Sequence, residues 1–231
     1  MLDIKAKGNY SIKDEIELKN IEFLKKSIFQ NLPVVFQGVL ADVEMKFYRS
    51  PDELPSSRRE EILNESVIAE TFEDKNEIDV YLFVLKTRED FAEEFFLTIY
   101  HELFHLFSHH CGFYKQLGEV LRGQKEDFLM ITKEDIEKFL KDISTFDVDG
   151  YIKKKKMAEC WNKKYLQECA EDERDNGILK YIERDDLRAM VEEIFAETFA
   201  EMILKKSIQP ECLPFETILK KIFEIQLGGC C

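Results

Sequence analysis

The sequence predicts an α+β fold in which a small mixed β-sheet packs on one long helix, with additional helices after it. Short alternating segments precede residue 86, an apolar segment with helical spacing covers residues 91–110, and most of the chain beyond is helical in pattern. A chain of 231 residues, 45% hydrophobic, suits a single domain with a sizeable core. We therefore expect one domain over residues 1–231.

The first elements follow from local patterns. An amphipathic helix, two loop or turn segments and three strands are predicted, in this order: helix 14–30, strand 43–48, loop 50–57, strand 66–72, turn 73–77 and strand 78–85. The last two strands flank a five-residue turn, so they are expected to form a hairpin.

The later elements are helices. Apolar residues recur at helical spacing in four segments: 91–110, 133–141, 187–204 and 213–227, with a break expected at 147–150.

The long helix contains the pattern H-E-x-x-H at His101, Glu102 and His105. Residues four apart lie on one face of a helix, so the two imidazoles can bind one cation. Zn²⁺ suits two imidazoles plus a carboxylate, and a bound water then has a pKa of about 7. Glu102 lies about 100° round the helix and can act as general base on that water. The pattern indicates metal-dependent hydrolysis.

A chance origin for so short a pattern competes with this interpretation. Against it, all four histidines of the chain fall between His101 and His110, and histidines on a largely apolar helix are costly without a ligand. A longer pattern, H-E-x-x-H-x-x-G-x-x-H, is typical of metzincins. It would need glycine at Ser108 and histidine at Cys111, although the Cys111 thiolate, His109 or His110 lies close by in sequence. Alternatively, the two later histidines only form a polar helix end.

A third protein ligand is expected from the helix at 187–204. Glu193, Glu197 and Glu201 follow one edge of its apolar face. Periodicity places Glu197 and Glu201 nearer the apolar face, which favours Glu197 as the ligand with Glu201 as its support. A ligand must however point into a cleft, which favours the edge position, Glu193.

The H-E-x-x-H pattern followed by Glu193-Ile-Phe-Ala-Glu197-Thr-Phe resembles the gluzincin metallopeptidases, especially the catalytic domain of anthrax lethal factor and the Pro-Pro endopeptidases. It is also similar to the ImmA/IrrE-type peptidases. The resemblance covers about a third of the chain. It implies a zincin-like fold, a Zn²⁺ cofactor held by His101, His105 and Glu193, and Glu197 orienting a ligand histidine.

Two departures from these relatives stand out. His105 and Glu193 are 88 positions apart (193 − 105), which implies a helical insertion at about 112–186. The tyrosine that the resemblance implies two turns before the third ligand is replaced by Asp186, and Tyr181 is the nearest candidate for stabilising the oxyanion.

The net charge of the chain indicates which classes of binding partner to expect. The net charge of −14 disfavours nucleic-acid binding and favours basic substrates.

The N-terminus does not resemble a signal peptide, no apolar run approaches a membrane span, and the six cysteines show no paired spacing. A cytoplasmic location is expected, with delivery to another cell left open. The terminal Cys230-Cys231 resembles a prenylation signal or is a free tail.

The sequence as a whole predicts a zinc-dependent endopeptidase that cleaves protein or peptide substrates with Glu102 as base. The alternative is a zincin-like binding or regulatory module without turnover. An edge strand before the long helix could hold an extended peptide, which favours the peptidase. Neither the cleavage sequence nor the oligomeric state follows from these patterns.

Overall fold

The computed structural model describes residues 3–6, 28, 30–40, 42–65, 67–85, 91–155 and 177–228. These residues form helices and a small mixed sheet, as the sequence predicts. Except for positions 28 and 30, the helix predicted at 14–30 lies outside the described residues, as does the terminal Cys230-Cys231. Contacts divide the chain into two compact units, Met1–Phe107 and Ser108–Cys231.

Among the described residues, the first unit has these strands and helices: β1 Asp3–Ala6, α1 Val34–Val39, β2 Glu44–Tyr48, α2 Ser56–Glu65, β3 Ala69–Phe72, β4 Glu77–Tyr81 and α3 Leu82–Leu85. It also contains most of the long helix α4, Phe91–Cys111.

The sheet has the order β1-β2-β4-β3. Strands β1 and β2 are parallel, as are β2 and β4, whereas β3 runs antiparallel to β4. The predicted hairpin is therefore confirmed. Its turn closes at Asn76, whose φ of 52° lies in the left-handed region that asparagine tolerates. Strand β3 is the terminal strand of the described sheet.

One face of the sheet is apolar. Met45, Phe47, Ile78 and Val80 are buried and alternate along β2 and β4. The ring of Phe95 on α4 stacks with that of Phe47 at a centroid distance of 6.1 Å. The long helix therefore packs against this face, as expected.

The opposite face of the sheet is polar but covered. Lys46 forms an ion pair with Glu77, and the Tyr81 hydroxyl donates a 2.6 Å hydrogen bond to Glu70. Arg58 of α2 also pairs with Glu70. A small hydrophobic cluster combines Tyr48 and Tyr81 of the sheet with Leu54, Ile62 of α2 and Val84 of α3.

Two local predictions were wrong. The segment after Pro55, expected to be a loop, begins helix α2, because its Ser-Ser-Arg-Arg-Glu-Glu run contains good helix formers and Ile62 is fully buried. The strand predicted at 78–85 ends at Tyr81 and continues as α3. A short apolar run such as Leu82–Leu85 does not distinguish strand from helix by its periodicity.

The second unit is mainly helical. Its described α-helices and strands are α5 Phe113–Leu121, β5 Asp127–Phe128, β6 Ile131–Thr132, α6 Lys133–Ile143, α7 Val148–Lys155, α8 Asp185–Ile203 and α9 Leu213–Gly228. The helices predicted at 133–141, 187–204 and 213–227 are confirmed as α6, α8 and α9.

Phe195 on α8 is the centre of an aromatic core in this unit. The centroid of its ring lies 4.9 Å from the ring centroid of Phe215 on α9, 5.4 Å from that of Phe139 on α6 and 5.6 Å from that of Phe113 on α5. The boundaries of the insertion at 112–186 stay a prediction. Its described part contributes Phe113 and Phe139 to the same core as α8 and α9.

A close backbone approach also joins α5 to the segment that precedes α8. A Cβ on Gly118 would lie 2.6 Å from the Gly177 Cα, and a Cβ on Gly177 would overlap the carbonyl oxygen of Tyr114. Only glycine fits at these two positions.

Candidate metal centre

Helix α4 is fixed in the first unit by aromatic contacts. The ring of Phe36 on α1 stacks on Phe107 at 3.7 Å and lies 6.4 Å from Phe104. The Tyr100 hydroxyl lies 3.5 Å from the Ile28 carbonyl oxygen, to which it donates. Because one face of α4 is buried in this way, its half-buried polar residues occupy a defined position on the other side.

His101 and His105 present their imidazoles to each other. The two Nε2 atoms lie 3.0 Å apart and the ring centroids 4.7 Å apart. The predicted spacing of one helical turn therefore brings both nitrogens to one point. Two imidazoles in this arrangement share either one proton or one cation.

Helix α8 positions Glu193. Most residues of the helix are buried, including Phe195 and Ile194, whereas Glu193 is half-buried. Because each residue turns the helix by about 100°, Glu193 and Phe195 project in nearly opposite directions. The aromatic core around Phe195 thus sets the rotation of the helix and directs Glu193 away from that core.

Ligand atoms of His101, His105 and Glu193 all lie within 4.8 Å of one another. Among the described residues, this is the group of histidines, cysteines or carboxylates that comes close enough to bind a metal ion. At zinc–ligand distances of about 2.0–2.1 Å, donors of a tetrahedral site lie about 3.3 Å apart. The two imidazole nitrogens, 3.0 Å apart, are near that separation.

The donor set fits a divalent transition metal. Two imidazoles and one carboxylate match the ligands of catalytic Zn²⁺, and the harder Mg²⁺ and Ca²⁺ prefer oxygen ligands throughout. The residues present therefore fit the predicted cofactor in kind and number. The identity of the metal remains a prediction.

Glu102 is held by the edge strand of the sheet. The Thr71 hydroxyl on β3 lies 2.6 Å from Glu102 Oε2 and 3.3 Å from the Glu102 backbone oxygen. A hydroxyl has a single proton, so the shorter, charge-assisted bond to the carboxylate dominates. Sequence reasoning missed Thr71. The available signal was a polar residue on the strand face that otherwise carries apolar side chains.

Two further glutamates of α8, Glu197 and Glu201, lie near a buried tyrosine. Burial raises the pKa of the Tyr151 hydroxyl, and the nearby Cys212 thiol and the Glu197 and Glu201 carboxylates raise it further. Glu201 is buried, and Glu197 is half-buried. Neither belongs to the group that can bind a metal. The role of Glu197 in orienting a histidine stays a prediction.

Two residues lie outside the group that can bind a metal: Tyr181, the candidate for stabilising the oxyanion, and Asp186, which stands where the resemblance implies a tyrosine. Tyr181 is 40% exposed, and the Lys180 ammonium lies 4.9 Å from its ring centroid. Asp186 accepts hydrogen bonds from Arg184 and from the Leu187 backbone. The hydrogen bond from Arg184 lowers the pKa of Asp186, and this carboxylate therefore stabilises the N-terminal end of α8.

The residues of the metzincin-like alternative lie at the end of α4. His109 and His110 are exposed, and the helix continues through Cys111. The Cys111 thiol lies 3.8 Å from the Ser108 carbonyl oxygen, the residue one turn earlier. The chain turns only at Gly112, where φ is 58°. None of these three side chains belongs to the group formed by His101, His105 and Glu193.

Comparison with known proteins gave no relative: no protein-family model, no curated protein and no solved structure matches this chain. Within the described part of the chain, every helix is too short or too polar to span a bilayer. The function must therefore be argued from the residues themselves.

Proposed function

We propose that the protein is a zinc-dependent endopeptidase. The observation that carries the proposal is the convergence of His101, His105 and Glu193 ligand atoms within 4.8 Å, with Glu102 adjacent to the first histidine. Metal-dependent hydrolysis requires a set of metal ligands with a general base beside them, and these residues supply both.

Each residue of the site would have a defined role in the hydrolysis. His101, His105 and Glu193 would hold Zn²⁺, which supplies Lewis-acid polarisation of a carbonyl and acidifies a water molecule when bound. Glu102 accepts the proton of the attacking water and later returns it to the leaving amine. The hydrogen bond from Thr71 takes one lone-pair site of Glu102 Oε2, so the other carboxylate oxygen, with both sites outside this bond, is the one we assign to the reacting water.

Strand β3 supports a peptide as the substrate. The Tyr81 backbone N–H bonds to the Ile68 carbonyl oxygen at 2.8 Å, and the register pairs Thr71 with Ile78. Antiparallel pairs alternate between bonded and non-bonded types, so Thr71 falls in a non-bonded pair and its backbone N–H and carbonyl point away from β4. In the described sheet these groups lie at the open edge, where an extended peptide can add as a further strand.

Comparison of natural protein N-termini before and after treatment tests the proposal. A cell lysate is treated with zinc-loaded protein or with its Glu102→Gln variant, and newly formed N-termini are identified by mass spectrometry. We expect new N-termini with the first protein only, because the variant lacks the base but keeps every proposed ligand. The sequence on both sides of the cuts would define the substrate.

An equal set of N-termini in the two samples, at every concentration and across lysates, would contradict the peptidase. That result would instead favour the binding or regulatory module, in which the metal group has no turnover. The preference for basic substrates stays a prediction, which the residues around the cuts would test. The cytoplasmic location also stays a prediction.

A further inference from the structure

We propose that Thr71 is a positioning residue for the general base Glu102, and that it couples the position of the base to a peptide strand bound at the edge of the sheet. This inference rests on the proposed peptidase function. Its basis is that the Thr71 side chain contacts Glu102, whereas the Thr71 backbone lies at the β3 edge of the described sheet.

The side-chain contact is short and charge-assisted. At 2.6 Å between Thr71 Oγ1 and Glu102 Oε2, the bond is in the range of a hydroxyl donating to an ionised carboxylate. It fixes the torsion angles of a side chain that otherwise has three rotatable bonds. This bond takes one lone-pair site of Oε2 and leaves both sites of Glu102 Oε1 outside it. We therefore assign Oε1 as the oxygen that accepts a proton from a reacting water.

The backbone of Thr71 faces the other way. Its N–H and carbonyl lie on the side of β3 opposite to β4, as the pairing with Ile78 requires. A substrate strand that pairs there restrains the same residue that holds Glu102. The backbone groups that would pair with the substrate and the hydroxyl that holds Glu102 therefore belong to the same residue, Thr71.

Strand β3 is itself held in place. Glu70, which precedes Thr71, forms an ion pair with Arg58 of α2 and accepts a hydrogen bond from the Tyr81 hydroxyl. These contacts lie on the polar face of the sheet, whereas Thr71 points to the face that packs on α4. The hydroxyl of Thr71 is therefore presented by a strand anchored on both its faces.

The kinetic test compares Thr71→Val with Thr71→Ser. Valine keeps the shape and strand preference of threonine but lacks the hydroxyl, whereas serine keeps the hydroxyl. The substrate is the fastest-cleaved member of a library of internally quenched decapeptides. We expect Thr71→Val to lower kcat about 10- to 100-fold, as loss of reacting geometry does, with KM within about twofold. Thr71→Ser should recover kcat to within about fivefold.

Two controls separate positioning from general damage. Thr217, an exposed residue of α9 whose hydroxyl donates only to the Leu213 carbonyl at 2.8 Å, provides Thr217→Val as a matched loss of a hydroxyl, and it should leave both constants unchanged. In the Glu102→Gln background, adding Thr71→Val should change the residual rate by less than about twofold, because the two residues act as a unit.

A structural measurement decides the proposal even if no peptide is cleaved. In crystals of the metal-free protein, Glu102 should adopt one conformation in the unmodified chain and several in Thr71→Val. An unchanged Glu102 conformation in the variant would overturn the proposal, as would an unchanged kcat or a rise in KM alone. Absence of cleavage by the unmodified chain, with the Glu102 difference present, would reject the peptidase and leave the Thr71 contact established.

Discussion

His105 Nε2 lies 3.0 Å from His101 Nε2, close to the separation of two imidazoles bound to one tetrahedral metal ion. We predict that the protein binds about one Zn²⁺ per chain and that Glu102→Gln binds as much. The variant loses the base but none of the proposed ligands. Elemental analysis after reconstitution, with His105→Ala as the matched loss of a ligand, measures the stoichiometry. Zinc-free protein under these conditions would reject the metal centre.

Zinc should also stabilise the folded protein. A ligand that binds only the native state raises the free energy of unfolding by RT ln(1 + [L]/Kd), which is about 4 kcal/mol at a thousandfold excess over Kd. The midpoint of thermal unfolding should therefore rise with zinc concentration and fall on addition of a chelator. In His105→Ala the midpoint should no longer depend on zinc.

The choice between the two glutamates of α8 is open to direct titration. Glu193→Ala removes a proposed ligand, and Glu197→Ala removes a supporting group, for which a loss of about 10- to 100-fold in affinity is expected. We predict the much larger loss for Glu193→Ala. Glu192→Ala is the matched control, because Glu192 neighbours Glu193 but lies outside the group that can bind metal. If Glu197→Ala were the variant that cannot bind zinc, the ligand would lie one turn later.

The polar face of the sheet should make stability depend on pH. Burial, followed by the charge of Glu77, raises the pKa of Asp79 from 3.8 to about 6, whereas the Tyr48 hydroxyl and Lys46 oppose the shift. Between about pH 4 and 6 the folded state therefore binds a proton that the unfolded state has released, so this contribution to stability falls as the pH rises. Above pH 6 the native protein holds a buried carboxylate at a cost.

Asp79→Asn removes that titration. Its free energy of unfolding should exceed that of the unmodified protein above pH 6, by roughly 1–2 kcal/mol after allowance for residual solvent, and the difference should shrink towards pH 4. Urea unfolding at several pH values measures it. Asp74→Asn, in the exposed hairpin turn, should show no such trend. A difference that does not vary with pH would contradict the assignment to Asp79.

The core of the second unit should depend on Phe195. This ring is fully buried and contacts aromatic residues of three other helices. We expect Phe195→Ala to lower the free energy of unfolding by about 3–5 kcal/mol, since the cavity cannot close. Phe223→Ala, at a half-buried site of α9, should cost clearly less. Equal losses in denaturant unfolding would show that Phe195 is not the centre of this core.

Periodicity alone determined about half of the described helices and strands. Helices α4, α6, α8 and α9, the strands β2 to β4 and the hairpin follow from the spacing of apolar residues, because local burial repeats with the helix or strand period. The sequence also determined that His101 and His105 lie together, since a turn of helix requires it. The prediction failed where a local pattern is ambiguous, at α2 and at Leu82–Leu85.

The partners of these residues were decided only by tertiary structure. Three glutamates of α8 share one edge in sequence, and of these three only Glu193 belongs to the group that the described residues form with the two histidines. Thr71 and Glu102 are 31 positions apart, and no periodicity relates a strand to a helix across that interval. A sequence pattern predicts which face of each helix or strand is buried. It does not predict which buried faces pack against each other, because that depends on the tertiary structure.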